Sequence, residues 1–288
     1  MSQILLQVIV GGLLLGAVYA LFSSGLTLIW GMMNVINFAH GDFVMLGMYV
    51  AFLVYALMGG GPLFAVPAAA LVLATIGVIC YFGLIRDIMK GPMLAQILGT
   101  FGLALLLRYA AFAYFGANVR TLPDTLVGGT LEFGTIRIEA SRLLAGVVAL
   151  AVTAGLHLVL TRTALGSRML AVAEDSAAAE LMGIRPNRMQ AVAWALAAGS
   201  TGIAGALIAN FFPVTPTIAE TLGLVAFVTV SLGGFGSVPG ALIAGLLIGV
   251  IESLSSYLIG AIYKDIVVYA LFVAVLWLRP QGLMGKAS

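Results

Sequence analysis

The sequence predicts an all-α, polytopic membrane bundle of eight or nine transmembrane segments, with broken helices near 34–42 and 233–240. Three observations carry that expectation. Hydrophobic residues make up 62% of the chain and charged residues 8%, with a mean hydropathy of +1.16, far outside the soluble globular range. Charges are absent between Met1 and Gly41, from Phe43 to Ile85, from Met189 to Ala219 and from Thr221 to Ile251. Stretches such as Leu143 to Val159 are apolar on every side, where a porin-like barrel would alternate polar and apolar positions. Backbone groups in lipid then have to be satisfied within helices.

Taken in order, apolar segments lie at roughly 4–30, 37–58, 63–85, 92–115, 143–161, 189–211, 222–234, 239–258 and 266–279. Ile4 to Phe22 reads as a retained first helix, because no positively charged leader or small-residue cleavage site accompanies it. One crossing takes about 20 residues, so Phe43 to Ile85 overshoots a single span about twofold and turns back at Gly59-Gly60-Gly61-Pro62. Cys80 is the single cysteine and excludes an intrachain disulfide.

With single crossings throughout, Arg86, Lys90, Arg162, Arg168, Arg185, Arg188, Arg279 and Lys286 fall on one side and Arg120, Arg137, Arg142 and Lys264 on the other. Lys and Arg accumulate on the cytoplasmic side, which makes 162–188 a cytoplasmic loop and 116–141 an external one. The external loop has a Gly128-Gly129 turn between Thr121–Val127 and the alternating Leu131, Phe133, Ile136 and Ile138. That pattern predicts a short β-hairpin, either a docking flap for a partner or a connector. A net charge of +2 says nothing about nucleic acid, because Lys and Arg are scattered in loops without a basic stripe, and no nucleic-acid partner is expected.

Two segments interrupt plain helix: Asn34-Val-Ile-Asn37-Phe-Ala-His40-Gly41-Asp42 and Gly233-Gly234-Phe-Gly236-Ser-Val-Pro239-Gly240. Glycine and polar groups between apolar half-segments are how transporters break helices around a buried pathway. Asn37, His40 and Asp42 form the densest polar cluster in the apolar sequence, and a carboxylate there requires a water-filled cavity or a partner. The competing reading makes Asn37 a helix cap with Asp42 held by the N-terminal dipole. Glu252, beside Ser253, Ser255 and Ser256, either bonds across helices or faces the pathway. Arg108 stands about 24 Å into its helix by helical rise and is expected to snorkel to the outer interface. Gly12/Gly16, Gly245/Gly249 and the stripe Gly199, Gly202, Gly205 are expected to let helix backbones approach closely.

Two histidines and one cysteine in separate segments argue against a metal site. No GxxxxGK[ST] sequence occurs, so any ATP is expected to be bound by partner subunits. No nucleophile elbow or paired-His motif is present either, and an enzyme is not expected.

The cytoplasmic loop is the most informative stretch. It runs Gly166-Ser-Arg168-Met-Leu-Ala171-Val-Ala-Glu174-Asp175-Ser-Ala-Ala178-Ala-Glu180-Leu-Met-Gly183-Ile184. Ala-rich and acidic near its start, with Gly183 as a stop and Pro186 beyond, it predicts one helix of about three turns. A helix lying on the bilayer surface is the alternative, but Glu174, Asp175 and Glu180 would be repelled by anionic lipid. Docking to a cytoplasmic protein is the better reading.

These residues resemble the LivH-type permeases of the branched-chain amino acid ABC importers, over nearly the whole chain. Asn37-Phe-Ala-His-Gly-Asp42, Ala171-Val-Ala-Glu-Asp175 through Leu181-Met-Gly-Ile184, and Leu232-Gly-Gly-Phe-Gly-Ser-Val-Pro-Gly240 carry the resemblance. It implies one permease domain over 1–288 in a bacterial inner membrane, seated in the lipid bilayer. It further implies a LivM-type second permease subunit, two ABC ATPase subunits and a periplasmic or extracellular substrate-binding protein. By resemblance, 171–183 is a coupling helix for the ATPase, with Arg168, Ala171, Glu174, Asp175, Ala178 and Gly183 at the contact. The substrate pathway is expected at Asn34, Asn37, His40, Gly41, Asp42, Gly234, Gly236 and Glu252, and transport by ATP-driven alternating access. Urea or short-chain amides are alternative cargoes within such families. A stand-alone ion-coupled transporter is the rival class, which broken helices also permit; it would have to couple through Asp42 and Glu252.

Overall fold

Lipid offers the backbone no hydrogen bonds, so each long apolar run closes its own helical ladder. The computed structural model describes residues 2–59, 62–122, 129–133, 136–279 and 281–285. In order these form α1 (Ser2–Met33), α2 (His40–Met58) and α3 (Pro62–Cys80), which continues through a π-helical turn (Tyr81–Ile85) into α4 (Arg86–Ile88). There follow α5 (Met93–Phe115), β1 (Thr130–Phe133), β2 (Ile136–Glu139), α6 (Ala140–Arg162), α7 (Ala164–Glu174) and α8 (Ser176–Leu181). The chain ends with α9 (Pro186–Ile208), α10 (Ile218–Gly233), α11 (Val238–Leu258) and α12 (Lys264–Leu278). Among the described residues, seven helical stretches are long and apolar enough to cross a membrane. The remaining apolar helices, α10 and α12, have 16 and 15 residues. All nine anticipated segments are present. Gly59 ends α2 with φ +61°, as the expected turn requires; Gly60 and Gly61 lie outside the described residues.

Packing is set by small residues. Helix α1 runs along α11 with Gly12 and Gly16 against Gly249 and Gly245, and a Cβ on Gly249 would stand 2.3 Å from the Gly12 carbonyl oxygen. No side chain fits there, so the glycines permit the crossing. Helix α9 packs against α1, α2 and α3 and buries Trp194 completely. At the end of α3 the Tyr81 hydroxyl lies 2.7 Å from Gln190 Oε1 and 3.2 Å from Asn187 Oδ1, joining the π-turn to the start of α9.

One end of the bundle gathers the start of α9, α7, the end of α1 and the C-terminal segment. There Leu283 and Met284 donate their backbone N–H groups to Leu232 and Gly233 at 2.8 and 3.0 Å. Arg86, Lys90, Arg162, Arg168, Arg185, Arg188 and Arg279 belong to the loops and helix ends of this side, which is the cation-rich one. Lys286 lies outside the described residues.

The hairpin and the coupling segment differ from expectation. Strands β1 and β2 pair antiparallel with Thr130 opposite Glu139 and Phe133 opposite Ile136, so Gly129 precedes the hairpin instead of forming its turn. The alternation at Leu131, Phe133, Ile136 and Ile138 belongs to both strands instead of one. Thr121 and Leu122 are not strand, and 123–128 lie outside the described residues. The loop is pinned elsewhere, by reciprocal backbone bonds between Arg120 and Val214 of 3.1 and 2.7 Å.

The expected single helix over 171–183 is two helices, because Asp175 leaves helical geometry at φ −149°, ψ 102°. Its Oδ1 accepts from the backbone N–H groups of Ala177 and Ala178, both at 2.9 Å, which makes it the N-cap of α8. Gly183 does end the segment, at φ +79°. Met169 and Val172 bury one side of α7 against α1, α6 and α9.

Candidate functional site

The break after α1 makes a re-entrant segment. Asn34 turns the chain with φ +54°, and residues 34–39 run back along α1 in non-helical conformation. Thr100 of α5 donates its hydroxyl to the Ile36 carbonyl at 2.9 Å. Asn37 Oδ1 accepts from Ala39 N–H at 3.1 Å, so Asn37 braces the turn before α2 while Ala39 occupies the cap position. His40 Nε2 donates to the Phe22 carbonyl at 2.7 Å. Phe22 lies eleven residues before the end of α1, so α2 starts about 16 Å inside the bundle by helical rise. Helix α10 mirrors it. Gly41 meets Ala219 and Gly223 of α10, a Cβ on Gly41 falling 2.1 Å from the Ala219 carbonyl oxygen. Both helices therefore start at depth, as half-helices do around transport pathways.

Each of these helices carries one acidic residue, and each places it in its first turn: Asp42 in α2 and Glu220 in α10. Both face Arg108 of α5. The guanidinium forks onto Asp42, Nε to Oδ1 at 3.0 Å and Nη2 to Oδ2 at 3.3 Å, and its Nη1 donates to Glu220 Oε1. Arg108 therefore does not snorkel. It stands seven residues inside the end of α5, about 10 Å by helical rise, and its side chain is 14% exposed. A buried carboxylate at the foot of α2 outweighs the interface as a partner, since leaving either charge unpaired at that depth is costly.

The other expected pathway residues lie apart from this triad. Glu252, buried in α11, accepts from the Tyr19 hydroxyl at 2.8 Å and from Lys264 Nζ, and Lys264 also sits 5.5 Å from the Phe212 ring centroid. This pair ties α1, α11 and α12 together near the opposite end from the cation-rich one. Gly234 and Gly236 sit at the cation-rich end, where Gly236 N–H donates to Thr27 Oγ1 at 2.8 Å and Gly234 adjoins Gly285 and Gln281. Asn34 is exposed at the end of α1, whereas Asn37, His40, Gly41 and Asp42 are buried together. Thus the structure gathers only the NFAHGD block of the expected set, and adds Arg108 and Glu220. Of the residues expected at an ATPase contact, Arg168, Glu174, Asp175, Ala178 and Gly183 are exposed and Ala171 is half-buried. Leu181 and Met182 beside them are 89% and 82% exposed. Among the described residues no group of three or more His, Cys, Asp or Glu side chains is placed to hold a metal ion.

Residues 8–276 match the family described as the branched-chain amino acid transport system / permease component. The chain belongs to this family. It is 34% identical to the high-affinity branched-chain amino acid transport system permease protein BraD of Pseudomonas aeruginosa, over 98% of this chain and 96% of that one. It is 32% identical to LivH of Escherichia coli over 98% and 96%. LivM of the same organism is more distant, 27% identical over 93% of this chain and 68% of its own. A chain of PsaBC from Streptococcus pneumoniae in complex with Fab shares the fold, with TM-score 0.51 at 9% identity over 94% and 91% of the two chains. As a member of this permease family with seven apolar spans, the protein is a multi-pass membrane protein.

Proposed function

We propose that the chain is a permease subunit of an ABC importer for branched-chain amino acids in a bacterial inner membrane, opening its path by ATP-driven alternating access. The identity to BraD over almost the full length of both chains carries this reading. A second permease subunit of the LivM type, two ATPase subunits that bind the ATP, and a soluble binding protein complete the machine. Similarity to both LivH and LivM supports a paired permease.

Helices α7 and α8 supply the coupling contact. The buried side of α7 is fixed to the bundle, while the capped α8 presents Ala178, Leu181 and Met182 outward. A rigid, exposed apolar element outside the lipid suits the groove of a partner protein. Closure of the ATPases then moves α7, and with it α1, α6 and α9, against which it packs. The half-helices α2 and α10 lie on those same helices.

Ala178→Arg and Gly183→Arg test the reading. Each places a long cation on an exposed small residue, so the chain is expected to insert and fold normally. Substrate-stimulated ATP hydrolysis and uptake are expected to fall together, with less ATPase retained on purification. Uptake that persists without any ATPase partner and follows a proton or sodium gradient would establish the rival secondary transporter instead.

A further inference from the structure

The triad in the outer half of the bundle is asymmetric. Asp42 is 1% exposed and takes the Nε/Nη2 edge of Arg108, whereas Glu220 is 66% exposed and holds Nη1 alone. Helices α2, α5 and α10 carry no other Asp, Glu, Lys or Arg, so the three charges are matched to one another and sum to −1. An open carboxylate about 10 Å below the end of a spanning helix is too costly to face hydrocarbon. This face therefore meets water or polar groups in the assembled transporter.

The open side of the triad presents opposite charges next to each other: a guanidinium edge and a carboxylate. A zwitterion can separate them without leaving either unpaired. Its carboxylate takes Nη1 of Arg108 and its ammonium takes Glu220, so one ion pair is exchanged for two. A simple anion would strand Glu220, and a neutral amide would compensate neither charge. A lone cation can satisfy Glu220 but leaves the Nη1 edge unused. We propose that Arg108 and Glu220 form a station for the α-ammonium and α-carboxylate of an amino acid in the outer half of the pathway, with Asp42 as the positioning residue that fixes the guanidinium. This deepens the reading of the chain as an amino-acid permease and rests on it.

The test uses the complete complex with its binding protein, reconstituted in liposomes, and radiolabelled L-leucine as probe. Glu220 is the residue to change, because its exposure spares the fold. Glu220→Gln is expected to lower the maximal uptake rate about fivefold, the upper scale of losing one member of a largely exposed charge pair. Glu220→Asp should recover much of it. The loss should fall on the leucine moved per ATP hydrolysed, so the ATP consumed per leucine rises in the Gln variant and returns toward the parent value in the Asp variant. Leucine uptake by Glu220→Gln within about twofold of the parent would overturn the station, since a lost charge contact is worth more than that. Equal loss of ATP hydrolysis and uptake, unrelieved by Asp, would also overturn it in favour of a packing role. A sodium requirement in the parent that disappears in Glu220→Gln would reassign the site to a cation. Failure of the unaltered complex to take up leucine on ATP would instead count against the permease reading.

Discussion

Arg108→Gln probes whether the re-entrant start of α2 is held by charge. The substitution removes both prongs from Asp42, whose side chain is 1% exposed. Breaking a buried pair by deleting one partner costs about 3–5 kcal/mol, most of it the stranded charge. Glu220 adds little to that figure, because it is largely exposed and can turn to water. Adding Asp42→Asn removes the stranded charge and sets two amides face to face, so the double variant should recover more than half of the loss. The assay is equilibrium unfolding of the lipid-reconstituted chain in a detergent titration, with all four members of the cycle compared. A single-mutant loss under about 1 kcal/mol, the range of exposed pairs, would refute the reasoning. So would a double variant no better than Arg108→Gln.

Gly249→Leu drives a side chain into the Gly12 carbonyl, where even a Cβ would sit at 2.3 Å; it should abolish folded yield, measured by monodisperse recovery. Gly11→Leu, on α1 beside Gly12 and with nothing within 4 Å of its Cβ, should leave that yield unchanged. Asp175→Ala deletes two cap bonds to α8 and should weaken that helix by about 1 kcal/mol, seen as faster amide exchange over 176–181, whereas Asp175→Asn should retain protection. Cysteines placed in the 162–188 loop should resist an impermeant thiol reagent in intact cells while those at 120–122 react; equal labelling would reverse the topology.

The helices were legible because lipid imposes one rule along the chain: apolar runs of spanning length with charges at their ends. Among the described residues seven helical stretches reach that length, and α10 and α12 fall short of it at 16 and 15 residues. The re-entrant break at Asn34 and the αL stop at Gly183 were equally readable, since each rests on local chemistry. Arg108 was misread because its partners lie 66 and 112 residues away, and a lone cation in an apolar run looks like a snorkelling one. A usable signal was present, in that α2, α5 and α10 each hold a single charge of the acidic or basic type and the signs match. Asp175 lies inside what the sequence predicts as one helix, yet its side chain competes for backbone N–H groups and starts a new helix. The hairpin slipped because two adjacent glycines outweighed the alternation that followed them.

The central claim is tested most directly by leucine uptake into liposomes holding the purified permease pair and its ATPase subunits, with binding protein outside and ATP inside. All ion gradients are collapsed. Uptake that requires hydrolysable ATP, and that stops when the ATPase is inactivated, is the predicted result. Uptake that ignores ATP and returns only when a proton or sodium gradient is imposed would contradict the account.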